Sequence, residues 1–363
     1  MRIAHITTDF KPILGGQETY IANLIKILAE AGHEQVVYQH FNGEKSPELH
    51  FVPKILKTNK RHWLNVWSYN LLVNKYYFEL KNSDCLIVHF PFHFPAVMWH
   101  KKVVVLSHGV EWSVPPRSAS HKLREKLARF AFGHARIFVA NDTDFFRQMG
   151  LNTAAGERLF ERLDGQRWFI PNCVDTNHFY EAEPYPNLQK LNPILLPRNI
   201  NPQRGITLAI EAFAGFVKVY PETNLIVVGD FQDFEYKCRV FSLINQLTLA
   251  GKVLFLGNVS WQNMPRIYAS SLMSLVPSIY SEGTSLSALE SMACGIPVVS
   301  TNIGGLADLP AYKTNPDAES FCNGMIEAFK QQELLGSKQQ KIVREQFNLE
   351  NWSKAWLKAI AMK

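Results

Sequence analysis

The sequence predicts an α/β protein of two Rossmann-like domains, each a parallel sheet clad in helices, with the sheets facing a central cleft. Three observations predict it. Short apolar runs alternate with helical stretches along the whole chain. The alternation breaks at 181–193, where three prolines fall, and then starts again. The length, 363 residues, suits two domains that each bury a core of their own.

In the first series, residues 3–7 read as a strand. A loop at 9–16 follows, then a helix over 18–31 that stops at Gly32. Residues 35–38, 85–89, 103–106 and 137–140 are further strands by their runs of β-branched and apolar side chains. The stretch 51–83, rich in Asn, Lys, Trp and Tyr, fits no period. Residues 170–179 form a junction, and the proline-rich 181–193 reads as a linker. The second series places strands at 194–196, 224–228, 253–256, 272–277 and 297–300, and a helix at 352–362. The domains are therefore expected at 1–178 and 179–345.

Composition narrows the function classes. The chain is 47% hydrophobic and 19% charged, which is globular. Five scattered cysteines, none at metal-ligand spacing, argue against a disulfide framework and for a reducing compartment. The start, Met1-Arg2-Ile3-Ala4, reads as a strand and not as a signal peptide, and no apolar run spans a membrane. A cytoplasmic protein is expected. The net charge of +6 is uneven: residues 51–136 hold 14 Lys/Arg against 4 Asp/Glu. Within that region, 117–134 sets Lys122, Arg124, Lys126 and Arg129 among Leu123, Leu127 and Phe130 at helical spacing. Such a helix can lie on anionic lipid at the inner face of a membrane, or pack its leucines on the core. No nucleic-acid motif accompanies the charge.

The most specific stretch is 272–300. An apolar strand leads into a loop holding Glu282 and Gly283. Residues 286–293 then read as a helix, which Gly295 and Pro297 stop before the next strand. Glu282 thus lies at a strand's carboxyl end, where open α/β sheets bind ligands. Glu290 lies about two turns into the helix. The helix start offers free N–H groups to an anion. A carboxylate two turns on can accept from a diol such as ribose, and the loop carboxylate can meet whatever the phosphate carries. Together they suit a nucleotide bearing a sugar.

Here the chain resembles the retaining glycosyltransferases of family 4, which have the two-domain GT-B fold. The resemblance rests on Glu282-x7-Glu290 and on Ala293-Cys294-Gly295-Ile296-Pro297-Val298-Val299 after it, with Gly304-Gly305 beyond. Thr284 stands where the family has an aromatic residue. The resemblance implies a donor-binding C-terminal domain and an acceptor-binding N-terminal one, with 346–363 packing back on the latter. It implies that Gly283, Thr284, Ser285 and Leu286 help to hold the donor, that Glu290 takes the ribose and Glu282 the donor sugar. It pairs Arg198 and Arg204 on the diphosphate, where the family commonly has Arg and Lys. Two cations can offset a leaving diphosphate without a metal, and no cofactor is expected beyond a UDP- or GDP-sugar substrate. Gly15, Gly16 and Gln17 match the glycine loop, with Gly16 toward the donor and Gly15 and Gln17 toward the acceptor. His108-Gly109 matches a substrate contact, with Glu111 beside it at the acceptor. Gly229 ends a strand and lines the donor site.

Other readings stand beside these. Asp142-Thr143-Asp144 has the form of a metal-binding Asp-x-Asp, but a helix N-cap explains it better. Gly304-Gly305 reads as a tight turn, and Asn172 to Asp175 as a structural hinge. The function expected is transfer of a sugar, with retention, to a glycan or lipid-linked acceptor in cell-surface polysaccharide or glycolipid synthesis. The rivals are a nucleotide-sugar epimerase of the same fold and a non-catalytic nucleotide-sugar-binding subunit.

Overall fold

The computed structural model describes residues 1–13, 15–40, 48–52, 62–110, 112–113, 115 and 118–362. They form two compact units, Met1–Pro171 with Glu350–Lys363, and Asn172–Leu349. Each is a parallel α/β layer structure.

In the first unit the strands are β1 (Arg2–Ile6), β2 (Glu34–His40), β3 (Leu49–Val52), β4 (Cys85–Val88), β5 (Val103–Ser107), β6 (Ile137–Ala140), β7 (Glu161–Asp164) and β8 (Arg167–Phe169). Their order is β3-β2-β1-β4-β5-β6-β8-β7. The turn of direction between β1 and β4 is the switch point at which such sheets bind ligands. Every residue of β4, β5 and β6 is buried, because helices cover both faces, so these strands read as unbroken apolar runs. The one departure from the expected parallel sheet is β7, antiparallel to β8 through a turn with Gly165 at φ +47°. The Asp164-Gly165 pair is a hairpin signal in the sequence.

Helix Gly16–Glu30 returns the chain from β1 to β2 and buries Tyr20, Ile21, Leu24, Ile27 and Leu28 along one stripe. The unassigned region resolves into β3, the helix His62–Leu72, a 3₁₀ turn Val73–Tyr76 and a short helix Tyr77–Lys81. Within helix Leu349–Ala361, Trp352 and Trp356 are fully buried. Both meet the Tyr20 ring edge-on, and the Trp356 indole N–H donates to the Tyr20 hydroxyl at 2.9 Å.

The second unit holds β9 (Pro193–Pro197), β10 (Asn224–Val228), β11 (Val253–Gly257), β12 (Met273–Val276), β13 (Val298–Thr301) and β14 (Tyr312–Thr314), all parallel, in the order β11-β10-β9-β12-β13-β14. The pattern repeats that of the first unit, with β9 and β12 at the switch point. Met273 pairs with Ile194 and Ser274 with Leu195. Residues 181–193 belong to this unit. The Arg266 guanidinium stacks on the Tyr185 ring and donates to the Glu183 carbonyl, and Ser270 accepts from the Tyr185 N–H.

Candidate functional site

Arg198 follows β9 directly, and Ser278 and Glu282 follow β12. Neighbouring strands thus deliver both arms of the site to one place. Oε2 of Glu282 accepts from Arg198 Nη2 at 2.6 Å, from the Ser278 hydroxyl at 2.6 Å, and from Arg204 Nη1. The Arg198 side chain is only 4% exposed and that of Glu282 9%, whereas Arg204 is 37% open to solvent. Burial alone would raise the Glu282 carboxyl. The two guanidiniums and the Ser278 hydroxyl outweigh it and hold the group at about 2. Burial lowers Arg198 to about 10 against the pull of Glu282. Glu282 is thus ionised, and Arg204 is the more exposed cation.

Three glycines fix the backbone around this cluster. Gly205 caps the 3₁₀ turn Pro202–Arg204 at φ +69°, and a Cβ there would sit 1.8 Å from the Pro277 carbonyl oxygen. Gly229, at φ +137°, lies against the Arg198 carbonyl, where a Cβ would approach to 2.3 Å. Gly304 presses on the Glu282 carbonyl in the same way. Gly304 and Gly305 do begin a turn, the 3₁₀ segment Gly304–Asp308, and that turn also grips Glu282 through the Gly305 N–H at 2.7 Å. The sequence reading missed this contact.

Helix Leu286–Ala293 starts at Ser285, whose side chain makes no capping hydrogen bond to its backbone. The free N–H groups of its first turn are available to an anion. Four residues into the helix from Leu286, Glu290 accepts from the buried Tyr268 hydroxyl at 2.8 Å, and burial pushes its carboxyl up to about 7 despite that bond. Tyr268 and Ser278 carry no motif that marks them in the sequence. Thr284 is used differently: its hydroxyl accepts from the Asn172 N–H at 2.7 Å, and its carbonyl accepts from the Asn172 amide. Gly283 lies between Glu282 and this clamp. Cys173 lies outside the left-handed region, so its backbone is unstrained.

In the first unit, Gly15 is the N-cap of helix Gly16–Glu30, again with no side-chain cap bond, and Gln17 lies in its first turn. The Glu18 carboxylate turns back toward Gly15, close enough that a Cβ there would meet it at 3.0 Å, and burial raises its pKa. His108 follows β5, edge-on to Tyr20 from that helix, and burial lowers it to about 3. Its Nε2 has no hydrogen-bond partner among the described residues. Glu111 lies outside the described residues.

Beside His108 lies a chain of neutral histidines. The Gln35 amide donates to the His33 carbonyl, which turns its oxygen to His5 Nε2 at 2.8 Å. His5 Nε2 therefore carries the proton and His5 Nδ1 accepts from His89 Nε2 at 3.0 Å. His89 Nδ1 is left as a buried bare lone pair, 6.1 Å between ring centres from His108.

Asp142 caps helix Thr143–Gln148, accepting from the Phe145 N–H at 2.7 Å. Among the described residues no three His, Cys, Asp or Glu side chains cluster as metal ligands. Helix Ala119–His134 packs Leu127 beside Val66, Phe90 and Phe92, and Phe130 on the main core, leaving Lys122, Lys126 and Arg129 exposed.

Residues 182–355 match the family of glycosyl transferases group 1, and residues 14–150 match glycosyltransferase family 4. N-acetyl-alpha-D-glucosaminyl L-malate synthase of Bacillus anthracis is 23% identical over 93% of this chain and 92% of its own. A human phosphatidylinositol N-acetylglucosaminyltransferase chain is 21% identical over 91% of this chain and 68% of its own. The structure of Anabaena Alr3699/HepE in complex with UDP superposes with a TM-score of 0.78 at 18% identity, covering 99% of this chain and all of that one. Two sheets of Rossmann order, an arginine–glutamate cluster at the switch point of the second, and family matches in both units lead to one conclusion: the chain belongs to the group 1, family 4 glycosyltransferases and has the GT-B fold.

Proposed function

We propose that this enzyme moves a hexosyl group from a nucleoside-diphosphate sugar to a glycan or lipid-linked acceptor with retention at the anomeric carbon. The observation that carries the reading is the triad Arg198–Glu282–Arg204 beside the uncapped start of helix Leu286–Ala293. A diphosphate suits a site of two guanidiniums and free N–H groups. Charge-assisted bonds of this kind contribute about 1.5–3 kcal/mol each.

Arg204, the exposed cation, meets the diphosphate, and Arg198 holds Glu282 and adds its field. Oε2 of Glu282 is engaged by three donors, so Oε1 takes a hydroxyl of the donor sugar. Glu290 takes the ribose diol. His108 and Gly16 contact the donor side of the reaction, and Gly15 and Gln17 the acceptor. Neutral at physiological pH, His108 acts as a hydrogen-bonding group and not as a strong acid.

As the bond from the anomeric carbon to the diphosphate oxygen breaks, the acceptor oxygen bonds to the same face. The acceptor proton passes to the departing phosphate oxygen. The cations stabilise the charge that develops there. UDP is the favoured nucleotide because the Anabaena structure holds it. A lipid-linked acceptor is favoured by the basic first unit and by the human relative, which is named for phosphatidylinositol. Site of action is the cytoplasmic membrane face, in glycolipid or surface-polysaccharide synthesis.

Nucleotide release from a panel of UDP-, GDP-, ADP- and dTDP-sugars, with and without acceptor, tests the reading, with Glu282→Ala as control. Turnover by the wild type and none by the variant is the expected result. Binding of a donor with no turnover on any acceptor would overturn it in favour of a non-catalytic role.

A further inference from the structure

Helix His62–Leu72, the 3₁₀ turn and the short helix after it bury Val66, Tyr69, Asn70, Val73 and Leu80 in the first unit. Their outward stripe should be polar. It is instead largely apolar: Trp67 and Leu71, one turn apart on the helix, are 44% and 74% exposed, and Phe78, on the short helix Tyr77–Lys81, is 78% exposed. Met98 and Trp99 extend the patch. The Trp99 indole N–H donates to the Asn74 side chain at 3.3 Å, and its ring lies 4.5 Å from Tyr77. Six exposed large apolar side chains thus belong to these neighbouring elements, with Phe78, Tyr77 and Trp99 joined by ring contacts.

The charge around them is mainly positive. Lys75, Lys81 and Lys101 are exposed, and Lys75 and Lys81 lie over the Tyr76 and Tyr77 rings. Two carboxylates lie among them: Glu79, which accepts from the Tyr38 hydroxyl and meets His50, and Asp84, which accepts from the Arg2 N–H; the lysines outnumber them. A second copy meeting this face across a two-fold axis would set lysines against lysines. Exposed Trp and Tyr with Lys at the rim and aliphatic and Phe side chains at the crest are the chemistry of a bilayer interface.

We propose that the surface Trp67–Leu71–Phe78–Trp99 docks the first unit on an anionic lipid bilayer. The side chains enter the headgroup–acyl boundary while the lysines meet lipid phosphates. No helix among the described residues is long and apolar enough to cross a membrane, so the contact lies along the surface. Helix Ala119–His134, whose apolar side chains are spent on the core, adds charge but no insertion. The inference deepens the lipid-acceptor reading without resting on it, because docking needs neither donor nor acceptor.

The test is flotation of the full chain with vesicles of phosphatidylcholine alone and of phosphatidylcholine with phosphatidylglycerol. The wild type should float with the anionic vesicles only. Leu71→Ser with Phe78→Ser, which leaves net charge unchanged, should weaken partitioning about tenfold or more. Lys75→Glu with Lys81→Glu should weaken it as well. Quenching of tryptophan fluorescence by brominated lipid should fall in Trp67→Phe with Trp99→Phe, a pair that keeps the aromatic bulk. Undiminished flotation of the Leu71→Ser, Phe78→Ser variant, or quenching that survives loss of both tryptophans, would overturn the proposal. So would a wild-type dimer in sedimentation that the same variant dissociates, which would assign the face to a second copy. Donor hydrolysis in the absence of vesicles reports on the transferase reading separately.

Discussion

A methyl group on Gly304 would lie 2.3 Å from the carbonyl oxygen of Glu282, the same oxygen that accepts from the Gly305 N–H. The loop bearing the central carboxylate is thus seated on bare backbone, and any side chain at Gly304 must push it away.

Gly304→Ala should therefore cost about 2 kcal/mol or more, from the left-handed φ of +53° and the collision together. Transfer should fall with it as Glu282 moves. Gly251→Ala is the control: its φ is +80°, but nothing lies within 4 Å of the added Cβ. It should cost about 1 kcal/mol and leave turnover intact. Urea melts and initial rates on both variants decide this.

Glu282→Gln removes the anion between two cations and leaves Arg198 nearly buried without a counter-charge. The variant should lose about 3 kcal/mol of stability. Adding Arg198→Met should recover part of it, since the stranded charge goes too. Additive losses in the double variant would show that the pair does not couple.

Glu290 gives a pH signature. Its carboxyl rises from 4.5 to about 7, so between those values the folded chain binds more protons than the unfolded one. Its contribution to stability is full below the lower value and lost as pH climbs through the upper one. Ribose hydroxyls donate to the ionised form, so UDP affinity should strengthen on going from about pH 6 to 8. Glu290→Gln should flatten that profile. Calorimetric titration of UDP across the range, in buffers of differing ionisation enthalpy, reads the affinity and the proton released.

Thr284→Val keeps the shape but removes the acceptor of the buried Asn172 N–H. A loss of about 1–2 kcal/mol is expected. Thr284→Ser, which keeps the hydroxyl, should recover most of it in thermal melts.

The sequence was most legible where local rules act alone. Helix Leu286–Ala293 is legible to the residue, because Gly295 and Pro297 stop an apolar period cleanly, and β6 and β10 are legible at both ends, β6 as a fully apolar run and β10 as an apolar run after Asn224. The region 51–83 defeated the same rules for a physical reason: helix His62–Leu72 has apolar residues on both its faces, so its 3.6-residue period cancels. Glu282, Arg198 and Arg204 could each be singled out, yet their meeting on one oxygen could not, since 84 and 78 residues separate the partners. That closure depends on β9 lying next to β12, a fact of sheet order. Tyr268 under Glu290 and the His5–His89 pair likewise depend on neighbours brought in from other elements.

The carboxylate on the two arginines also bears on which anions the enzyme ignores. Tethered within the chain, Glu282 competes with free ions at a high effective concentration. On the proposed reading a diphosphate joins this cluster through the exposed Arg204 and the helix start and leaves Glu282 in place. A free anion therefore meets a cluster whose two cations and one carboxylate sum to a single positive charge, and it must share Arg204 with a partner already bound to it.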